Sequence, residues 1–199
     1  MISRDHPYFF LARVFATENA EFHLSKYVYD EDSLFDRRKS ISVRGHQLTP
    51  EWVTWVISSL EPEEELALHS RITIKGHTFH IPMIDFATSE PLAANIADRI
   101  RFFLPRKVFL SLAFFDSGRS YHAYSTALLK PKEWLDFMGR LLLINPRGSQ
   151  EIIDSRWVGH RLIGGYCSLR WSNNTGKYVR SPTSIGIRGE RHSQLFGQA

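Results

Sequence analysis

The sequence predicts an α+β protein: an α+β or α/β sandwich built on a mixed sheet. Two patterns support this. Apolar stretches of strand length alternate with stretches whose apolar residues recur at helical spacing. Glycine-centred turns join some of the strands directly, as in hairpins. The chain has 199 residues, 43% hydrophobic and 23% charged, which suits one substantial domain with a sizeable core better than two.

Pro7 to Ala16 is apolar and aromatic (Tyr8, Phe9, Phe10, Leu11, Val14, Phe15) and reads as a buried strand. Residues 17–46 are more polar, with Asp30-Glu31-Asp32 ahead of Arg37-Arg38-Lys39, and read as a loop-rich elaboration. Thr49-Pro50-Glu51 opens a helix: threonine caps, proline suits the first helical position, and an early acid suits the helix dipole. Trp52, Val53, Val56 and Leu60 continue it, and Glu61 to Glu65 reads as an acidic surface patch.

Arg71–Ile74 and Thr78–Ile81 form a hairpin about Lys75-Gly76, and the second strand is expected to run on through Pro82 to Phe86. A helix follows Thr88-Ser89-Glu90-Pro91, with Leu92, Ile96, Ile100 and Phe103 on one face. Val108 to Phe115 reads as a strand that turns at Asp116-Ser117-Gly118-Arg119 and resumes at Tyr121–Tyr124. Lys130-Pro131-Lys132-Glu133 opens a third helix burying Trp134, Leu135, Met138, Leu141 and Leu142, and Asn145-Pro146 ends it. Ile152-Ile153-Asp154 and the stretch around Leu169 read as strands, and the Ser-, Asn-, Gly- and Arg-rich residues 171–199 as irregular. The expected division is a single domain over 1–199, with an N-terminal part at 1–70, a motif-bearing core at about 71–178 and a basic tail at 179–199.

Composition excludes several classes. A single cysteine, Cys167, rules out an internal disulfide and a cysteine-based zinc site. It lies in a strand-like segment as small filler. No apolar run reaches bilayer-spanning length, and the N-terminal residues lack the pattern of a secretory signal, so a cytoplasmic location is expected. A net charge of +4 favours polyanionic partners only mildly.

Three places set polar side chains at the ends of apolar stretches, where sheet proteins tend to carry function. Asp85 closes Met83-Ile84 ahead of a helix. A carboxylate there suits magnesium or manganese, or is simply a cap. Ser117-Gly118-Arg119-Ser120-Tyr121-His122 is a glycine turn carrying Arg, Ser and His. Glycine lets a phosphate approach the backbone and arginine pairs with it, although a strand histidine is often structural. Asp154 follows Ile152-Ile153, and downstream Arg170 and Lys177 add cations able to clamp a triphosphate, or, for Lys177, a solvated basic face. The five tryptophans read mainly as core, Trp171 being the candidate for stacking on a base.

The order apolar-Asp, Ser-x-His, apolar-Asp resembles the three motifs of the archaeo-eukaryotic primase superfamily, from about Thr78 to Lys177. His160-Arg161-Leu162 and Leu169-Arg170-Trp171-Ser172 resemble the basic strand that follows them. The resemblance implies a primase-type core with an RRM-like sheet packed on a second small α/β unit. It implies nucleotidyl transfer to a 3′ end, with Asp85, His122 and Asp154 catalytic and Asp85 and Asp154 holding Mg²⁺ or Mn²⁺. Ser117, Arg119, Ser120, His122, Arg170 and Lys177 are then the candidates for nucleotide binding. Partners are nucleoside triphosphates and DNA or RNA, with a helicase or another replication, repair or defence protein encoded separately. One departure stands out. The family's first motif carries a second acid where this chain has Ala87, with Glu90 nearby. That change and the basic residues Arg180, Arg188 and Arg191 support an alternative, a non-catalytic nucleotide or nucleic-acid binding module. A phosphoesterase is a third reading, with no recognised histidine spacing behind it.

Overall fold

The computed structural model describes residues 1–30, 37–89 and 94–185. Glu90, Leu92, Arg188 and Arg191 therefore lie outside the described residues. In chain order the elements are helix α1 (Pro7–Phe15), strands β1 (Ala20–Val28) and β2 (Arg37–Arg44), helix α2 (Pro50–Ser58), and strands β3 (Glu64–Ile74), β4 (His77–His80) and β5 (Met83–Asp85). Helices α3 (Ala94–Phe103) and α4 (Arg106–Leu110) follow, then strands β6 (Leu112–Asp116) and β7 (Tyr121–Ser125). Helices α5 (Pro131–Ile144) and α6 (Ser155–Gly164) and strands β8 (Ser168–Arg170) and β9 (Thr183–Ser184) complete the order.

The α+β class holds. One sheet runs β2-β1-β3-β4, with β8 also on β3, and the other runs β5-β7-β6-β9. The expected mixed sheet does not form: every described pairing of strands is antiparallel. Sequence-adjacent strands return on each other through short connections, which only antiparallel pairing allows. At the β3–β4 turn Lys75 and Gly76 both have positive φ, the geometry that matches strand twist in two-residue hairpins. The long β3 serves two partners along one edge, β8 at residues 67–69 and β4 at 71–74.

Several local expectations are corrected. Pro7–Phe15 is a helix, not a strand. His6 caps it, Pro7 occupies its first turn, and Tyr8, Leu11, Val14 and Phe15 form the buried face while Phe9 stays 40% exposed. A short apolar run suits either element; here the cap is itself fixed by the distant Trp171, which His6 also bonds. Residues 20–28 and 37–44 are strands rather than loop; Ala20, Phe22 and Leu24 alternate inward. The strand ending at His80 does not run on to Phe86. Pro82 has no N–H for a ladder, and the chain passes to the second sheet at β5. Val108 lies in α4, and the strand begins only at Leu112. In α5 Phe137 and Ile144 are buried with Trp134, Met138 and Leu141, while Leu135 and Leu142 are exposed. Glu64 and Glu65 are not surface acids but buried ends of β3. Trp55 is 64% exposed, whereas Trp171 is fully buried.

One continuous core joins both sheets and the helices. Its N-terminal corner is closed by His6. The Nδ1 atom accepts from Tyr8 N (3.1 Å) and Nε2 donates to Trp171 O (2.8 Å). Burial holds this imidazole neutral, its pKa lowered to about 4. Cys167 is buried filler, its thiol pushed up to about 12 by desolvation. Among the described residues no helix is long and apolar enough to cross a membrane.

Candidate active site

The three motif positions converge although they lie far apart in sequence. Asp85 of β5 pairs in register with His122 of β7, and His122 Nε2 stands 3.7 Å from Asp85 Oδ1. Residues 152–154 run along the other edge of β5. Ala87 N donates to Ile152 O (3.0 Å), Phe86 bridges Ile153, and Asp154 N donates to Asp85 O (3.1 Å). That stretch is a single bridge, too short for the strand the sequence suggested. Asp154 Oδ1 accepts from Trp157 N (2.7 Å), so it also caps α6. Asn145 fixes the stretch: its amide oxygen accepts from Ile152 N and Ile153 N, and its Nδ2 donates to Ile153 O. In the sequence this residue marked only the end of a helix.

The glycine turn between β6 and β7 is held by its own groups. Asp116 Oδ1 accepts from Gly118 N (2.7 Å), and Ser117 Oγ accepts from Ser120 N (3.2 Å) and lies 3.1 Å from Ser120 Oγ. Gly118 sits at φ +88°, and a Cβ there would meet the Arg180 backbone at 2.9 Å. Arg119 is exposed, its guanidinium 5.7 Å from the Tyr178 ring centroid.

Asp85, Ser117, Arg119, Ser120, His122, Asp154 and Arg170 all line one cleft of about 490 Å³. Lys177 is exposed and is not among its lining residues; Tyr178 takes that place. Arg170 is buried, its guanidinium donating to the carbonyls of Ser117 and Ser172. His160, Arg161 and Leu162 belong to helix α6, not to a basic strand. His160 and Arg161 still reach the cleft, and Arg161 donates to Ser168 Oγ (2.7 Å). Sequence reasoning missed Tyr27 and Arg38, which also line the cleft. Arg38 lies 4.5 Å from the Tyr27 ring centroid and donates to Ser25 Oγ (3.0 Å). The strand alternation of residues 20–28 was the signal that could have found Tyr27, and Arg38 pairs with it in register from β2.

Electrostatics set Asp85 apart. Its side chain is 23% exposed, and its carboxyl is pushed up to about 8, first by burial and then by Asp154, against the pull of Arg170 and Arg161. His122 is held neutral, its pKa lowered to about 3 by burial and then by Arg170. Its Nδ1 has no hydrogen-bond partner among the described residues, a state that costs about 1–3 kcal/mol until something bonds it. Among those residues no group of three or more His, Cys, Asp or Glu side chains is arranged to hold a metal ion.

Residues 44–183, more than half the chain, match the sequence model of the family described as archaeo-eukaryotic primase 1D-like (AEP-like). The chain belongs to this family. No curated protein and no solved structure matches it. The matched span holds Asp85, the glycine turn, His122, Asp154 and Arg170. Tyr27 and Arg38 belong to the stretch before the match.

Proposed function

We propose that this primase-like chain is a divalent-metal-dependent nucleotidyltransferase, joining nucleoside triphosphates to the 3′ end of a DNA or RNA strand. The observation that carries the reading is the acid pair. Asp85 and Asp154 are backbone neighbours across a bridge, His122 stands beside Asp85, and all three open on a cleft lined by arginine.

The acids fit Mg²⁺ or Mn²⁺. They are hard oxygen donors, neither is ion-paired to a lysine or arginine among the described residues, and burial beside a like charge strains Asp85. Magnesium is commonly held by one or two carboxylates, with water and substrate phosphates completing its shell. Asp85 and Asp154 would hold the ion, which supplies charge neutralisation at the phosphates and favours an ionised 3′-hydroxyl. Arg119 pairs with phosphate oxygens in the bidentate manner of a guanidinium. Ser117 and Ser120 shape the turn, which brings backbone and hydroxyl donors to the same oxygens. His122, neutral and buried, lines the cleft with its Nε2 beside Asp85.

The test is incorporation of labelled nucleotides onto primed and unprimed single strands with Mg²⁺ or Mn²⁺. Asp85→Ala, Asp154→Ala and His122→Ala should each lower it on the order of a hundredfold, at or above the usual loss for disturbing a metal site's supports. Full activity in all three variants sinks the site. Ala87, and the absence among the described residues of three or more His, Cys, Asp or Glu side chains grouped to hold a metal ion, favour a second reading, a binding module on the same fold. Nucleotide binding without incorporation under either metal would establish it.

A further inference from the structure

The segment after β8 was read as an irregular tail carrying a phosphate-binding lysine. In the structure it is a strap pinned to the first sheet. The buried Glu65 carboxylate accepts from Ser172 Oγ, Asn174 N (3.1 Å), Thr175 N (2.9 Å) and Thr175 Oγ1 (2.7 Å). Asn174 Nδ2 donates to the carbonyls of Glu61 (2.7 Å) and Glu64 (3.1 Å). Further along, Arg180 lies 3.4 Å from Asp116 Oδ2, and its backbone presses on Gly118. Both ends of residues 172–180 are thus fixed, so what lies between them is held in a defined pose.

Between them is Tyr178, half-buried and lining the cleft, while its neighbour Lys177 is exposed outside it. The Arg170 guanidinium lies 3.7 Å from the Tyr178 ring centroid and that of Arg119 5.7 Å. Arg170 is already committed to the carbonyls of Ser117 and Ser172, whereas Arg119, exposed at the cleft, has the Tyr178 ring as its one recorded contact among the described residues. Tyr178 therefore presents an aromatic ring next to an exposed arginine, Arg119, that lines the same cleft.

We propose that Tyr178 is the nucleotide-contacting residue of the strap, stacking on the base of a nucleotide whose phosphates pair with Arg119. This rests on the nucleotide-binding reading above. A flat π-face beside guanidinium groups suits a nucleobase rather than a phosphate, and such stacking tolerates any base. Arg38 over Tyr27 places a second arginine–tyrosine pair in the same cleft, which suits a flat, anionic ligand.

The test combines photolabelling by 8-azido-ATP, with peptide mapping, and equilibrium binding of ATP to the full chain. Label is expected on the peptide holding Tyr178. Tyr178→Phe should bind like the wild type, and so should Lys177→Ala. Tyr178→Ala should weaken binding about tenfold, the usual scale for one base–aromatic stack. Tyr178→Leu, which keeps bulk without a π-face, serves if the alanine variant does not fold, and should weaken binding likewise. Wild-type affinity in a folded alanine or leucine variant, or label confined to other peptides, overturns the proposal and leaves the nucleotide site standing. A wild-type chain that binds no ATP overturns both this proposal and the reading beneath it.

Discussion

The strap anchor at Glu65 and the acid pair at Asp85 each set a carboxylate near the end of a strand, and their surroundings differ in one respect. Glu65 accepts hydrogen bonds from Ser172, Asn174 and Thr175, backbone and side chain together. Asp85 accepts none among the described residues. It has His122 at 3.7 Å and a second acid beside it. A buried carboxylate with its lone pairs filled holds a fold together. One left unfilled next to a like charge is strained, and such strain gathers at functional sites. The same comparison separates two histidines. His6 has both ring nitrogens bonded inside the core, whereas His122 keeps one without a partner.

The largest effect on folding should come from breaking the filled site. Glu65→Ala leaves Asn174 N and Thr175 N without their acceptor, a loss of about 2–4 kcal/mol by the usual worth of charge-assisted bonds. Thermal melting should fall by roughly 5–15 °C. An unchanged midpoint would mean that the strap is not held by Glu65.

The acid pair should respond with the opposite sign. Burial beside Asp154 pushes the Asp85 carboxyl up to about 8 from the ordinary 3.8, so the folded state resists ionising it. Stability from this group is full below the lower value and is lost as pH rises towards the upper one. Asp85→Asn removes that loss. It should raise stability by about 1–3 kcal/mol at pH 8, with little gain at pH 4, while abolishing incorporation. Melts of both proteins across that range check it, and a variant less stable at pH 8 would remove the contrast with Glu65.

The smallest effect joins the two regions. Gly118→Ala places a Cβ 2.9 Å from the Arg180 backbone at a φ of +88°, which should cost about 1–2 kcal/mol. Because the same contact seats the strap on the turn, nucleotide binding should weaken alongside the melting temperature. A change in stability alone would show that strap and turn act separately.

Much of the site was legible because its residues announce themselves locally. Asp85 after Met83-Ile84, the Ser-Gly-Arg-Ser turn and His122 are contiguous patterns, and family likeness put them in order. Arg170 was legible as a residue but not in its placement, since only the fold shows its guanidinium bound to Ser117 and Ser172. Tyr27 and Arg38 escaped notice because the charged residues of 20–44 hid a strand alternation. Lys177 stands out in the sequence by its charge and Tyr178 does not, and charge does not say which neighbour faces a cleft.

The sequence by itself determined the α+β class, the Thr49 and Pro131 helix starts and the Lys75-Gly76 hairpin. Each of these depends on residues a few positions apart, through caps, turns and periodicity. Only the tertiary structure decided that Pro7–Phe15 is a helix locked to Trp171, that Glu65 is buried under the strap, and that Asp154 lies against Asp85. Those outcomes depend on hydrogen bonds and burial between segments distant along the chain, and a local pattern carries no record of the partner that satisfies it.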